Sequence, residues 1–154
     1  MISARVSARL KHVLILLVAA LIFAATATLA ADVNVDGNGV AIQGFDPVAY
    51  FRQDQAVKGS NRFRAEHEGA IYLFATAENL EAFNSDPQKY VPAYGGYCAF
   101  GLASGYKAKI EPEAFTITDG KLYLNYNQAV RDAWRKDIPG FVEKADANWI
   151  DLGG

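Results

Sequence analysis

The stretch Phe115-Thr116-Ile117-Thr118-Asp119-Gly120-Lys121-Leu122-Tyr123-Leu124 constrains the fold more than any other part of the chain. Apolar and polar side chains alternate on both sides of Asp119-Gly120, and a period of two is the pattern of a half-buried strand. A two-residue hairpin turn needs positive φ at both central positions, which Asp-Gly supplies at little steric cost. The segment therefore predicts a β-hairpin. A second hairpin is predicted over residues 61–74: Asn61 to His67 alternates loosely, Glu68-Gly69 is the turn, and Ala70-Ile71-Tyr72-Leu73-Phe74 is a short apolar run.

Helix starts surround these hairpins. Asp46 precedes Pro47, which suits an N-cap followed by proline at the first helical position. Thr76 caps a segment carrying Leu80 and Phe83, and Asn127 caps one through Val130 and Trp134. Asp137, two residues before Pro139, opens a helix carrying Phe141, Val142, Ala145 and Trp149. Asp86-Pro87 begins a turn or short helix ending near Tyr90-Val91, and Tyr97 to Leu102 reads as a strand or a buried turn. No internal repeat or low-complexity segment is visible. The expected fold is α+β, with short antiparallel hairpins packed with several short helices in a single small domain over residues 42–150.

The N-terminus belongs to a different category. Arg5, Arg9, Lys11 and His12 precede an apolar run of roughly a dozen residues from Val13, and small residues lead out through Ala30 and Ala31. This order is that of a secretory signal peptide over residues 1–30, cut after Ala30 or, alternatively, after Ala27. A retained anchor is the competing reading, but a spanning helix takes about 20 apolar residues. The run also inflates the hydrophobic content of 51%. Residues 31–41, with Asp, Asn and Gly in alternation, are expected to be a flexible lead-in. Removing Arg5, Arg9 and Lys11 leaves 12 bases against 17 acids, a net charge of −5. No basic stripe remains, so nucleic acid is not an expected partner, nor is a membrane once the signal is cleaved. The expected location is periplasmic or secreted.

One cysteine, Cys98, stands in the stretch "YGGYCAFG" (residues 94–101). A single cysteine forms no internal disulfide, and in an exported chain it raises an intermolecular bridge, a reactive thiol or a ligand. The plainer reading is a small buried hydrophobe. His67 is the only histidine beyond the signal, and imidazole binds metals and titrates near neutrality. It equally suits an exposed turn or a packed ring. A thiolate with one imidazole fits copper better than magnesium or calcium, while zinc sites ordinarily need four ligands of this kind. A Cys98–His67 hydrolase lacks any local nucleophile signature, so no catalytic residue is assigned and an enzyme is the less favoured class. All eight tyrosines lie beyond residue 30, and such rings ordinarily pack in a core with hydroxyls at its rim.

Several phrases together resemble exported YHS domain-containing proteins: "GFDPVAYF" (44–51), "EGAIYLFATAENLEAFNSDPQKYVPAYGGYCA" (68–99), "DGKLYLNYN" (119–127) and "ADANW" (145–149). The resemblance spans about Ile42 to Trp149. It implies a small binding module with a transition metal, copper or zinc, as the leading ligand. In the shorter metal-binding form of that family, cysteines follow "DPV", follow the final Phe of the hairpin, and stand four residues further on. Here Ala49, Ala75 and Asn79 fill those places. Cys98 and His67 are therefore the candidate metal ligands of a relocated site, and the alternative is a metal-free interaction or structural module with a buried Cys98.

Overall fold

The computed structural model describes residues 32–154, so the expected signal segment lies outside the described residues. Strand β1 (Ser60–His67) pairs antiparallel with β2 (Ala70–Phe74), and β3 (Glu111–Thr118) pairs antiparallel with β4 (Lys121–Asn125). Both predicted turns hold: Glu68 and Gly69 have φ of 50° and 80°, Asp119 and Gly120 of 50° and 73°. Among the described residues five α-helices surround the hairpins: α1 (Pro47–Gln53), α2 (Ala77–Ser85), α3 (Ala99–Ala103), α4 (Gln128–Trp134) and α5 (Ile138–Asp151). The fold is α+β. No helix among the described residues is long and apolar enough to cross a membrane.

Local chemistry sets each helix start. Asp46 accepts from Val48 N and Ala49 N, Thr76 from Asn79 N, Asn127 from Val130 N, and Asp137 from Gly140 N. Each bond satisfies an amide that the helix itself leaves without a partner. The segment Tyr97 to Leu102 is neither strand nor turn. Cys98 is the N-cap of α3, its sulfur accepting from Gly101 N. Sequence patterning misses this because cysteine is not a preferred capping residue.

The structure also contains an internal repeat that the sequence conceals. Adding 51 to every pair in the first hairpin register, from Ser60↔Phe74 to His67↔Ala70, yields the second, from Glu111↔Asn125 to Thr118↔Lys121, with the same break in register. The following caps obey the same offset, Thr76 with Asn127 and Asp86 with Asp137. Ahead of each hairpin lie three consecutive left-handed residues, offset by 52: Ile42, Gln43 and Gly44 (φ 52°, 52°, 79°) and Tyr94, Gly95 and Gly96 (56°, 59°, 80°). Each tight turn closes on its own carbonyl, Phe45 N to Ile42 O and Tyr97 N to Tyr94 O. Each is then tied to the chain ahead of its hairpin, Asp46 N to Val57 O at 2.8 Å and Cys98 N to Ala108 O at 3.0 Å. Even the core ring pairs match, Tyr72 on Phe83 at 5.1 Å and Tyr123 on Trp134 at 5.4 Å. Over residues 60–86 the copies share only Gly69/Gly120, Tyr72/Tyr123, Leu73/Leu124, Ala82/Ala133 and Asp86/Asp137. What repeats is the backbone turn, the N-cap position and the buried ring.

The lead-in is bonded to the domain. Asn34 donates from its backbone to Gly95 O (2.8 Å) and from its side chain to Gly96 O (3.0 Å). Asp36 Oδ1 accepts from Asn38 N and Val40 N, and Ala41 N donates to Ile71 O. The glycine at position 95 is what lets this arm lie flat, because a Cβ there would run into the backbone carbonyl of Asp32.

Asp46 is the most heavily used side chain of the first repeat. Besides its two cap bonds it accepts from Ala75 N (2.8 Å) and from Asn79 Nδ2 (2.7 Å), joining α1, the end of β2 and α2. Asp46→Ala removes a cap and leaves two further donors, partly buried Ala75 N and buried Asn79 Nδ2, without that acceptor. Urea unfolding is expected to show a loss of about 3 kcal/mol. A change under about 1 kcal/mol would contradict this role for the carboxylate.

Candidate functional site

The repeat places Cys98 where the first copy has Asp46. The amides of Val48 and Ala49, both bonded to Asp46 Oδ1 at 2.8 and 3.2 Å, correspond to those of Phe100 and Gly101. In the second copy two side chains divide the task. Cys98 Sγ accepts from Gly101 N at 3.4 Å, and Asn125 Oδ1 accepts from Phe100 N at 3.3 Å. A thiol sulfur is a weak acceptor, which accounts for the polar Asn125 in the position that Phe74 fills in the first copy. The thiol in turn donates to Asn125 Oδ1 (3.8 Å). Cys98 is 1% exposed and packs among Leu122 and Leu124.

His67 ends β1 in other company. Its ring stands edge-on to Phe83 at 5.8 Å, and its Nε2 lies 3.2 Å from Gln88 Nε2 and 3.6 Å from Glu68 Oε1. Cys98 and His67 share no bonding partner. Among the described residues, no three His, Cys, Asp or Glu side chains gather in a way that could hold a metal ion. Ala49, Ala75 and Asn79, the three places that the resemblance matches to cysteines, do converge, but on the Asp46 carboxylate. Ala49 N, Ala75 N and Asn79 Nδ2 all point at it, and none of the three side chains is a thiolate or imidazole. This donor set does not fit a transition metal, because amide N–H groups stabilise an anion and repel a cation.

The accessible polar chemistry lies elsewhere, on tyrosines. Tyr94, held in the left-handed region by the turn ahead of Cys98, donates its hydroxyl to Asp146 Oδ1 of α5 at 2.9 Å. Positive φ at a bulky residue carries strain, here offset by this bond and by ring packing on Tyr123 and Trp149 at 6.0 and 6.1 Å. A cavity of about 270 Å³ is walled by Tyr94, Tyr123 and Trp149, with Asp146 at its side. A second cavity, of about 770 Å³, runs past Asp119, Tyr123, Pro139 and Val142, and the two meet at Tyr123 and Asp146. Burial and the Asp146 bond push the Tyr94 hydroxyl well above its ordinary range. Burial, then the charges of Asp146 and Asp119, raise Tyr123 as well. Sequence reasoning placed these tyrosines in a core with hydroxyls at its rim. It did not single out Tyr94, Tyr123, Trp149 and Asp146 as one group, because they come from four separate segments.

In comparisons with known proteins, no protein-family model, no curated protein and no solved structure matched this chain.

The raised tyrosines fix an alkaline limit. A hydroxyl that titrates near 10 when unfolded and higher when folded binds its proton more tightly in the fold. Its contribution is intact below pH 10 and is lost above it. Absorbance titration is expected to show Tyr50, Tyr72 and Tyr94 ionising only together with loss of near-ultraviolet circular dichroism. Smooth ionisation of every tyrosine in a fold that stays intact would contradict it.

Proposed function

We propose that this chain is a metal-free binding module of YHS-like type, in which Cys98 is a structural cap and the tyrosine-lined cleft is the binding face. The observation that carries the reading is the division of Asp46's two cap bonds between Cys98 and Asn125 in the second repeat. A side chain that replaces a capping carboxylate at an equivalent backbone position already has a structural task. Burial among leucines adds support, since a working thiol ordinarily sits in an exposed, electropositive setting. The YHS resemblance contributes the idea of a small binding unit, and the expected location remains periplasmic or secreted. The competing readings are copper or zinc binding through Cys98 and His67, which bond to no common partner, and a thiol enzyme.

Two measurements on purified protein test this. Native protein is expected to react with a thiol reagent at least about a hundredfold more slowly than urea-unfolded protein, because reaction requires opening of the core. Titration with Cu(I) or Zn(II) is expected to give no stoichiometric binding that depends on Cys98. Fast native labelling, or one-to-one metal binding abolished in Cys98→Ala, would overturn the reading.

A further inference from the structure

The two copies of the repeat differ at one place in a way that points to a ligand. At the first hairpin, Glu68, Tyr72, Gln88 and Val91 line a cavity of about 200 Å³. Its opposite wall is built from the ends of the described chain, Asp32 and Val33 on one side and Trp149 and Gly154 on the other. At the 51-residue offset, Asp119, Tyr123, Pro139 and Val142 take the same places around the 770 Å³ cavity, and no such arm lies over it among the described residues.

Each copy turns a tyrosine toward its cavity. Tyr72 is 2% exposed and Tyr123 4% exposed as whole residues, but neither hydroxyl is sealed from the surface, and neither bonds to another group among the described residues. A hydroxyl at a cavity wall that no protein group engages is free to bond to a group that enters. In the second copy Tyr123 lines both the 270 Å³ and the 770 Å³ cavities.

The charges nearest that hydroxyl are negative. Asp119 and Asp146 both act on it, and Glu143 lines the larger cavity. Of the bases at the two cavities, Arg135 is tied to Phe115 O and Thr116 Oγ1, and Lys89 lies over the Tyr90 ring. Lys121 and Lys136 are exposed at the rim. The chain itself shows what suits such surroundings. The Lys107 ammonium bonds to the Asp32 carboxylate and to Leu152 O (2.8 Å), with the rings of Trp149 and Tyr97 at 5.3 and 5.6 Å.

We propose that the cleft at Tyr123 binds a primary ammonium group on a flexible aliphatic chain. The Tyr123 hydroxyl and the Asp146 carboxylate accept its hydrogen bonds, and the rings of Tyr94 and Trp149 wall it in. An ammonium brings three donors and a charge, so it satisfies the unpartnered hydroxyl and the carboxylate together, and aromatic faces attract it further. This names the ligand class of the binding face proposed above and rests on that reading, which the thiol and metal measurements test separately.

The experiment is calorimetric titration of purified protein, with tryptophan fluorescence as a second readout. Three probes are used: cadaverine, Nα-acetyl-lysine N-methylamide, and the same lysine derivative acetylated on Nε. Saturable binding of at least one amine is expected, with none for the Nε-acetylated form. Tighter binding of cadaverine assigns the site to free amines, and tighter binding of the lysine derivative assigns it to lysine side chains of a protein partner. Tyr123→Phe and Asp146→Asn are each expected to weaken binding about tenfold, whereas Tyr72→Phe leaves it unchanged. Tyr123→Phe removes an atom that bonds to nothing else in the described fold, so this variant carries the test even where Asp146→Asn fails to fold. No saturable binding of either amine at millimolar concentration overturns the proposal. So does equal binding of the acetylated form, or an equal loss in Tyr72→Phe.

Discussion

The fold depends on how the first two free amides of a short helix find acceptors immediately after a left-handed turn. In the first repeat one buried carboxylate, Asp46, accepts from both, and then from Ala75 N and Asn79 Nδ2 as well. The turn ahead of it runs through three residues of positive φ, one of them the β-branched Ile42. Such a backbone is costly, on the order of 1–3 kcal/mol for each strained non-glycine residue, and persists only where the surroundings over-determine it. The cap bonds, the closure of Phe45 N on Ile42 O and the tie of Asp46 N to Val57 O supply that constraint. Without them the hairpin and α2 lose the point on which they converge.

The second repeat solves the same problem with weaker parts. Cysteine accepts poorly, so Asn125 takes one of the two amides and orients toward the sulfur. This arrangement places a polar amide in an otherwise apolar setting, and Asn125 Nδ2 is buried with no partner. The second copy compensates with more aromatic surface: Trp134 stands where Phe83 stands in the first and stacks on Phe141, and Phe100 and Trp149 pack against the same cluster. Large rings bury about 150–250 Å² each and carry much of the stability of a small domain. Of these rings Trp149, with Tyr94, Tyr123 and Asp146 of α5, lines the cleft that sets the second copy apart from the first.

Much of the local structure was legible in the chain. Asp119-Gly120 and Glu68-Gly69 announce their turns because few residue pairs tolerate two positive φ values. Asp46, Thr76, Asn127 and Asp137 announce helix starts because their short side chains carry the acceptor a helix lacks. Cys98 was legible as a buried residue but not as a cap, since a thiol seldom plays that part. The repeat was not legible, because Phe83 and Trp134, or Thr76 and Asn127, are equivalent in burial or bonding while different in sequence.

The amino-acid sequence by itself determined the α+β character, the two hairpins and the order of helices, because each is set by contacts within a few residues. Tertiary structure alone decided which groups Cys98, His67 and the tyrosines meet. Cys98 bonds to Gly101 N and Asn125, and His67 lies against Phe83, Gln88 and Glu68. Tyr94, Tyr123, Asp146 and Trp149 become one cleft only when the turn before Cys98, the second hairpin and α5 close together. Such proximity is bought by burial over long chain separations, and no local pattern of residues records it.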